Sequence, residues 1–442
     1  MKKLITPMNI LYFIMMTITI NSFLLLKISK ILLVILIPLF IFINVLSGTI
    51  KLKTNSKRLK ICYHGNVLLS IFYVSLVPSI IYHIILMIIM IPNNYMSLIF
   101  SCIYCIVASA ILFWNGIICV YLTSVQMGIK WRVLGALCGM IPILNLIVLY
   151  KIINIVTEEV EFEIDKEEIS KIESALEMCK TKYPILLVHG VFFRDNKYFN
   201  YWGRIPKTLE ARGAKIYYGE HQSALAVKDS ARELAAKIKY IVDRTGCEKV
   251  NIIAHSKGGL DCRYALAYYD IGKYVASLTT VNTPHRGCLF ADKLLDAAPE
   301  SLKKNVAKVY NTTLKELGDE NPDFMAAVTD LTYSVCEKRD LEMTIPEGIY
   351  TQSIGSIMNK PRSGQFPLNL SYRYVKNFDG DNDGLVGETS FKWGSKYTLL
   401  KTDDKRGISH GDIIDLNRQN LKGFDVRKFY VEMVNDLKNR DL

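Results

Sequence analysis

A serine that could act as a nucleophile follows an apolar stretch in the C-terminal half of the chain. In KVNIIAHSKGG, Ala254 lies two residues before Ser256 and Gly258 two residues after it. A reactive serine of this kind sits on a tight, strained turn between a strand and a helix, where neighbours crowd both flanking positions. Ala254 and Gly258 are small enough, and Gly259 extends the pattern. The motif therefore predicts nucleophilic catalysis by Ser256.

The serine needs a base to take its proton. The C-terminal part contains five histidines: His189, His221, His255, His285 and His410. His189 and His255 lie within motifs at the ends of predicted strands, which explain them as supporting residues. In hydrolases with this strand–serine–helix pattern, the acid and then the base come later in the chain. His410 alone follows both Ser256 and an aspartate-rich segment, so we predict that His410 is the base.

The aspartate-rich segment is FDGDNDGLVG, with Asp379, Asp381 and Asp383 in alternation. It opens like a calcium loop, but an EF-hand requires glutamate at position 12, which is Ser390 here. The base instead needs an acid on a turn after a late strand, and the alternation in 370–378 predicts that strand. We interpret Asp383 as the acid that stabilises the imidazolium. A metal loop of another kind is the alternative.

Acyl transfer also requires two backbone N–H groups for the oxyanion. One comes from the residue after the serine, Lys257, and the other from the loop after an early strand. The run YPILLVHG ends in His189 and Gly190, so we predict Val191 as the second donor. The Lys257 side chain lies four residues before Asp261, the spacing of a helical ion pair. Contact of Lys257 with an anionic lipid head group is the alternative.

These residues require a scaffold of alternating strands and helices, and the C-terminal part has that pattern. An amphipathic helix with apolar residues three or four apart begins near Lys228 and ends at Gly246. Near-continuous apolar strands favour a mostly parallel sheet with helices on both faces, an α/β fold. The predicted strands are 183–190, 214–220, 249–256 and 277–282.

The N-terminal part differs in charge. Residues 1–156 contain twelve Lys and Arg and no acid, and the first acid is Glu158. The rest of the chain has 54 − 12 = 42 basic and 42 acidic residues, so the net charge of +12 belongs to the N-terminal part. Cationic loops beside apolar runs are typical of membrane proteins. No basic surface for nucleic acid is predicted.

Four apolar runs are long enough, or nearly so, to cross a bilayer core, which takes about 20 helical residues. A fifth run, 133–150, contains Pro142 and Asn145, and it spans, re-enters or lies in the interface. We expect three parts: an all-α transmembrane domain of 4–5 helices at 1–156, a charged helical connector at 157–180, and the α/β domain at 181–442. The four longer runs are 4–26, 31–47, 67–91 and 96–122.

The basic residues also predict an orientation, because they favour cytoplasmic segments. With the N terminus inside, cytoplasmic segments carry nine Lys and Arg and external segments carry three. A fifth span at 133–150 would place the α/β domain outside the cell, which the length and apolar content of that run favour. Pro142 and Asn145 favour a re-entrant or interfacial segment, which would leave the α/β domain inside. We expect five spans and an extracytoplasmic α/β domain, because proline is tolerated in membrane helices.

Six motifs within about 183–437 resemble the bacterial true lipases, the triacylglycerol lipase-like family of the α/β-hydrolase superfamily, in order and spacing. The resemblance implies Ser256 as nucleophile, Asp383 as acid and His410 as base. It also implies a helical lid over an apolar acyl site, which we expect within 289–345. The six motifs are YPILLVHGVFFRD, YWGRIPKTLEARGAKIYYGE, KVNIIAHSKGGLDCRYAL, VNTPHRG, NDGLVG and SHGDIIDL.

Members of that family often bind a structural calcium ion near the catalytic histidine. Asp412 matches one ligand position, but the segment PRSGQF around residue 363 lacks the second aspartate. We therefore expect no required cofactor, and Asp412 is only a weak metal candidate.

These features predict a multi-pass protein of the bacterial cell membrane with a serine ester hydrolase of the lipase or esterase type. The predicted substrate is a lipid acyl ester, cleaved through an acyl-enzyme intermediate. A thioesterase or a deacylase of lipidated proteins would use the same triad, and a catalytically degenerate membrane scaffold would keep the fold. The sequence does not identify protein partners.

Overall fold

The computed structural model describes residues 7–47, 52, 54–91, 94–191 and 200–442. Its internal contacts divide the chain into two compact units, Met1–Lys171 and Ile172–Leu442. The segment expected to be a connector, 157–180, is helical as far as Ala175. This helix, Leu144–Ala175, begins within the first unit and ends in the second.

Every secondary-structure element described in the N-terminal unit is a helix. Within the described residues, two helices, Lys57–Met90 and Tyr95–Thr123, are long and apolar enough to cross a membrane, and most of their apolar surface is exposed. A core helix of a water-soluble domain would bury most of that surface, so this unit fits membrane association. The helices are α1 (Pro7–Ile20), α2 (Phe23–Ile28), α3 (Leu33–Leu46), α4 (Lys57–Met90), α5 (Tyr95–Thr123), α6 (Gly128–Cys138) and α7 (Leu144–Ala175).

The fifth apolar run is divided between two helices. α6 ends at Cys138 and α7 begins at Leu144. Pro142 lies in the break, where it has no N–H to donate and restricts the residue before it. Ile143 has a φ of 66°, a left-handed conformation that a helix cannot continue through.

In the part of the C-terminal unit that the structure describes, six strands form an all-parallel sheet with the order β2-β1-β3-β4-β5-β6. The parallel α/β prediction is therefore confirmed, and each of the four predicted strands has a counterpart. The strands are β1 (Ile185–Val188), β2 (Ile216–Tyr218), β3 (Val250–His255), β4 (Val275–Val281), β5 (Tyr350–Ser356) and β6 (Lys396–Leu400).

Successive side chains of a strand point to opposite faces of the sheet, so a buried strand presents apolar side chains on both faces. Helices cover both of these faces. Leu186 and Val188 of β1 pack in one core cluster with α9 and α10. Ile185 and Leu187 pack in the other with α8 and α17. The helices outside the lid region are α8 (Ile205–Glu210), α9 (Val227–Thr245), α10 (Lys257–Tyr268), α15 (Leu368–Asp379), α16 (Glu388–Phe391) and α17 (Val426–Asn439).

The strand predicted at 370–378 is wrong, because this segment lies in helix α15. Its buried residues, Tyr372 and Val375, are three apart, as on one face of a helix. Leu370 and Tyr374 are four apart and both exposed. The alternation of LSYRYVKNF therefore reflects a narrow helical core face rather than a half-buried strand.

Four helices fill the region expected to hold a lid. They lie between β4 and β5 and are α11 (Leu289–Ala297), α12 (Glu300–Glu316), α13 (Phe324–Thr329) and α14 (Tyr333–Glu342).

Candidate active site

Ser256 stands on a strained turn between β3 and α10, with φ 54° and ψ −131°. Few residues other than glycine adopt a positive φ, so neighbouring structure must hold this conformation. A β-carbon at Gly258 would lie 2.4 Å from the carbonyl oxygen of His189, and one at Gly259 would lie 2.1 Å from Thr283 Oγ1. The turn has the strain and the small neighbours expected from the sequence.

Asp383 and His410 form a buried hydrogen-bonded pair. His410 Nδ1 donates to Asp383 Oδ2 at 2.5 Å. Asn282 Nδ2 donates to the same oxygen at 2.7 Å, and the backbone N–H groups of Leu385 and Val386 donate to Oδ1 at 2.9 and 2.8 Å. The carboxylate is fully buried, and these donors satisfy both of its oxygens.

The imidazole of His410 lies close to the strained turn at residues 254–258, which carries Ser256 and is called the elbow below. Its ring centroid is 4.4 Å from that of His255, the residue directly before Ser256. Because Nδ1 is bonded to Asp383, Nε2 is the nitrogen suited to take the serine proton. The structure thus joins the predicted base and acid in one hydrogen-bonded pair, and the ring of the base lies next to the residue that precedes the predicted nucleophile.

The three aspartates of the FDGDNDGLVG loop have separate contacts. Asp379 accepts hydrogen bonds from Leu289 N–H and Phe290 N–H, at 2.8 and 2.9 Å, where α11 begins. The Asp381 side chain is 54% exposed and lies 3.4 Å from Lys376 Nζ. Within the described residues, no three metal-ligating side chains converge. Asp383 is the aspartate that reaches the histidine.

Of the two backbone donors predicted for the oxyanion, Lys257 directly follows Ser256 and Val191 directly follows Gly190. Lys257 is the first residue of α10, where N–H groups have no acceptor within the helix. A β-carbon at Gly190 would lie 2.8 Å from Ser256 Cβ, so the chain just before Val191 runs against the serine. The arrangement can stabilise negative charge on an acyl oxygen.

Two buried histidines support this arrangement. His189 Nδ1 lies 2.8 Å from the Gly190 carbonyl oxygen, and burial lowers the pKa of His189 to about 4. His255 Nδ1 lies 2.6 Å from Tyr201 Oη, and burial also lowers the pKa of His255. Both rings are therefore neutral at pH 7 and act as hydrogen-bonding groups, as expected for supporting residues.

The side chain of Lys257 is buried beneath the elbow. Its Nζ donates to Asp261 Oδ1 at 2.8 Å and to Ser230 Oγ at 2.9 Å. The predicted helical ion pair is confirmed, and a side chain that is 1% exposed cannot reach a lipid head group. Burial raises the pKa of Asp261 to about 7, and Lys257 opposes that shift.

Sequence reasoning missed Asn282 and Tyr201. Asn282 directly follows β4 and donates to both Asp383 and Ser356 Oγ. Tyr201 Oη accepts from Gly190 N–H at 3.0 Å, in addition to its contact with His255. A polar residue at the carboxyl end of a strand next to β3 was the available signal for Asn282.

The residues around Asp412 do not fit a calcium site. Asp412 Oδ2 accepts hydrogen bonds from Ser409 N–H and Ser409 Oγ, at 3.0 and 2.7 Å. Arg406 Nη2 donates to both carboxylate oxygens, at 2.9 and 3.1 Å. A cation of the chain itself therefore already lies on this carboxylate.

The C-terminal unit is similar to known proteins. Residues 183–381 match the family model described as alpha/beta hydrolase fold. The chain is 31% identical over 289 residues to a triacylglycerol lipase of Vibrio cholerae, covering 60% of this chain and 90% of that protein. It is 26% identical to the mature form of a Bacillus licheniformis lipase of known structure, with TM-score 0.40 and coverage of 54% of this chain and 88% of that chain.

Other relatives are matched over a shorter length. Triacylglycerol lipases of Pseudarthrobacter phenanthrenivorans and Burkholderia plantarii are each 37% identical over 165 residues, which is 34% of this chain. The match spans 51% and 45% of those proteins, about half of their length. The family match does not include the helical N-terminal unit. Through its C-terminal unit, the chain belongs to the bacterial lipase-like α/β-hydrolases.

Proposed function

We propose that the C-terminal domain is a serine hydrolase that cleaves the acyl esters of lipids. The observation that carries this proposal is the strained elbow of Ser256 beside His410, whose Nδ1 is bonded to the buried Asp383 at 2.5 Å. The names of the three relatives described above support a lipid acyl ester as the substrate, since all three are triacylglycerol lipases.

The proposed reaction has two halves. Ser256 Oγ attacks the ester carbonyl carbon while His410 Nε2 takes the hydroxyl proton, and the N–H groups of Val191 and Lys257 stabilise the oxyanion. The bond from the carbonyl carbon to the alcohol oxygen then breaks, and His410 gives its proton to that oxygen. Water attacks the acyl-enzyme in the same way, and release of the acid restores Ser256.

The helices α11–α14 act as the lid in this proposal. Val191 packs against Leu314 of α12 and Ala327 of α13, so these helices contact the predicted oxyanion loop. Ser256 and His410 are only 6% and 8% exposed. A lipid chain can enter a site covered in this way only if the covering helices move.

The test is hydrolysis of p-nitrophenyl butyrate by the purified full-length protein in detergent. Ser256→Ala and His410→Ala should each lower kcat by several orders of magnitude. Ser395→Ala, an exposed serine just before β6 and outside the proposed lid, is the matched control and should leave kcat unchanged. Unchanged hydrolysis by Ser256→Ala would contradict the proposal. A thioester with the same acyl chain, assayed in parallel, separates an ester hydrolase from a thioesterase.

We further propose that the N-terminal unit crosses the membrane four times. Two short helices make the first crossing: Asn9 Nδ2 donates to Tyr63 Oη at 3.2 Å, and Lys27 Nζ donates to Ser97 Oγ at 2.5 Å. Tyr63 is near the start of α4 and Ser97 near the start of α5, so α1 and α2 together run between the two ends of the unit. α3, α4 and α5 make the other crossings.

The α6–α7 pair is a re-entrant hairpin in this proposal. At its start, Arg132 Nη2 donates to the Ser124 carbonyl oxygen at 2.6 Å. α7 then passes Tyr73 of α4, whose ring is 6.0 Å from that of Tyr150. Glu159 Oε2 accepts from Ser124 Oγ at 2.6 Å, so the pair also returns to the end of α5. At 1.5 Å per residue, Tyr73 lies about 24 Å from the start of α4, which is roughly half of the length of that helix. The contact with Tyr150 therefore places this part of α7 about halfway along α4.

In this proposal, the hydrolase domain lies in the cytoplasm. Arg58, near the start of α4, donates to Glu159 at 2.6 Å, so the chain leaves the unit where α4 begins. The segment 48–62 at this end carries five basic residues, which favour the cytoplasmic side. This is the side opposite to the one that a fifth span at 133–150 would give.

A further inference from the structure

Arg406 lies at the centre of a cluster that no step of the proposed reaction uses. Its Nη2 donates to both carboxylate oxygens of Asp412, and its Nε donates to the carbonyl oxygen of Ser363 at 2.9 Å. The side chains of Arg406 and Asp412 are 25% and 3% exposed. One guanidinium therefore joins two segments that are 43 residues apart in sequence.

The turn closed by this contact carries the proposed base, His410. Before the turn, Ile408 N–H donates to the Ile357 carbonyl oxygen at 2.8 Å, which extends the pairing beyond β5. After it, Asp412 accepts hydrogen bonds from Ser409 N–H and Oγ. The backbone on both sides of His410 is thus fixed by hydrogen bonds, and the Asp412 carboxylate is the acceptor that closes the turn.

A buried carboxylate needs a cation or several donors to offset its loss of water. Burial raises the pKa of Asp412, and Arg406 opposes that shift. By the resemblance to the bacterial true lipases, Asp412 matches a ligand position of the calcium ion that members of that family often bind. Here the partner segment around Ser363 has no acid, and it offers a carbonyl oxygen to the guanidinium instead.

We propose that Arg406 is a positioning residue whose guanidinium is the fixed cation of the His410 turn, and that it makes the hydrolase independent of calcium. The proposal rests on the proposed function, because the role is defined by the base that the turn carries. Arginine keeps its charge at every accessible pH, and its planar fork bonds Asp412 and Ser363 at once. A lysine has the charge but lacks the fork.

The experiment measures kcat and KM separately for the full-length enzyme in detergent with p-nitrophenyl butyrate. Arg406→Gln should lower kcat by up to about 100-fold, because a base displaced by about 1 Å loses that much. KM should change little, because substrate contacts remain, and Arg406→Lys should recover part of the loss. Arg362→Gln, an exposed arginine next to Ser363, should leave both constants unchanged. Wild-type activity and melting temperature should be the same in EDTA and in millimolar calcium.

Wild-type kcat in Arg406→Gln, or loss of wild-type activity in EDTA, would overturn the proposal. If Arg406→Gln does not fold, the lysine variant decides: a folded Arg406→Lys with full kcat overturns the role of the fork, and a lower kcat at unchanged KM supports it. Ser256→Ala distinguishes a failure of the proposed function from a failure of the positioning role of Arg406. If Ser256→Ala stays active, the proposed function fails; if it is inactive while Arg406→Gln is fully active, only the positioning role fails.

Discussion

Three aspartates within five residues differ in what their carboxylates contact. Asp379 accepts hydrogen bonds from the N–H groups at the start of α11, where the helix dipole favours a negative charge. Asp381 faces solvent beside Lys376. Asp383 is fully buried with four donors, one of them His410. Residue type is the same in each case, so position in the loop determines the role.

Asp383→Asn should lower kcat for p-nitrophenyl butyrate by roughly 10⁴-fold, because the amide cannot hold the imidazole in the same tautomer and cannot stabilise the imidazolium. Asp381→Asn should have little effect, since an exposed pair contributes at most about 1 kcal/mol. Steady-state kinetics of the two variants side by side would check this, and equal losses would show that Asp383 is not the acid.

At the scale of elements, the elbow depends on close backbone contact between β1 and α10. Gly258 lies where a β-carbon would be 2.4 Å from the carbonyl oxygen of His189 and 3.1 Å from that of Val188. Backbone atoms in a central strand cannot move aside as a flexible side chain can. The elbow therefore needs glycine at this position for reasons of space.

Gly258→Ala should destabilise the hydrolase domain by about 1–3 kcal/mol or more, the usual range for overpacking. Gly411→Ala is the matched comparison, because a β-carbon there would meet its nearest atom at 3.5 Å, an ordinary contact. Thermal unfolding of both variants in detergent is the measurement. Equal melting temperatures would mean that β1 and α10 separate more easily than the structure implies.

At the scale of the whole chain, the side of the membrane follows from the number of crossings. With the α6–α7 pair re-entrant, four crossings return the chain to the side on which it started, and 48–62 carries the basic residues that favour the cytoplasm. The enzyme would then act on lipids of the inner leaflet or on lipids within the cell.

A membrane-impermeant fluorophosphonate should label Ser256 only after intact cells are lysed. Cys247, a partly exposed free thiol of the hydrolase domain, gives a readout independent of catalysis, because an impermeant maleimide should also react only after lysis. Ser256→Ala controls for the fluorophosphonate label. Labelling of both residues in intact cells would mean that 133–150 crosses the membrane and that the domain is external.

The sequence by itself determined the parallel α/β fold and the family, and it pointed to the residues that the structure brings together. The reason is that the signals are local. The elbow needs small residues within two positions of Ser256, and a buried parallel strand is a short apolar run. The order of serine, acid and base along the chain then left one histidine as the candidate base and one aspartate-rich loop as the source of the acid. Their roles are still predictions.

The tertiary structure alone decided which distant residues complete the site and which way a short amphipathic segment folds. Arg406, Asn282 and Tyr201 act on segments far from them in sequence, and no spacing rule connects such pairs. The segment 370–378 alternates like a strand, yet it packs as α15 because Tyr372 and Val375 meet the core three residues apart. The run 133–150 is apolar enough to span. In the structure, Arg132 before this run and Glu159 after it both contact Ser124, and these contacts support the proposed re-entrant hairpin. Hydropathy measures how apolar a segment is, and only its packing partners fix where it turns.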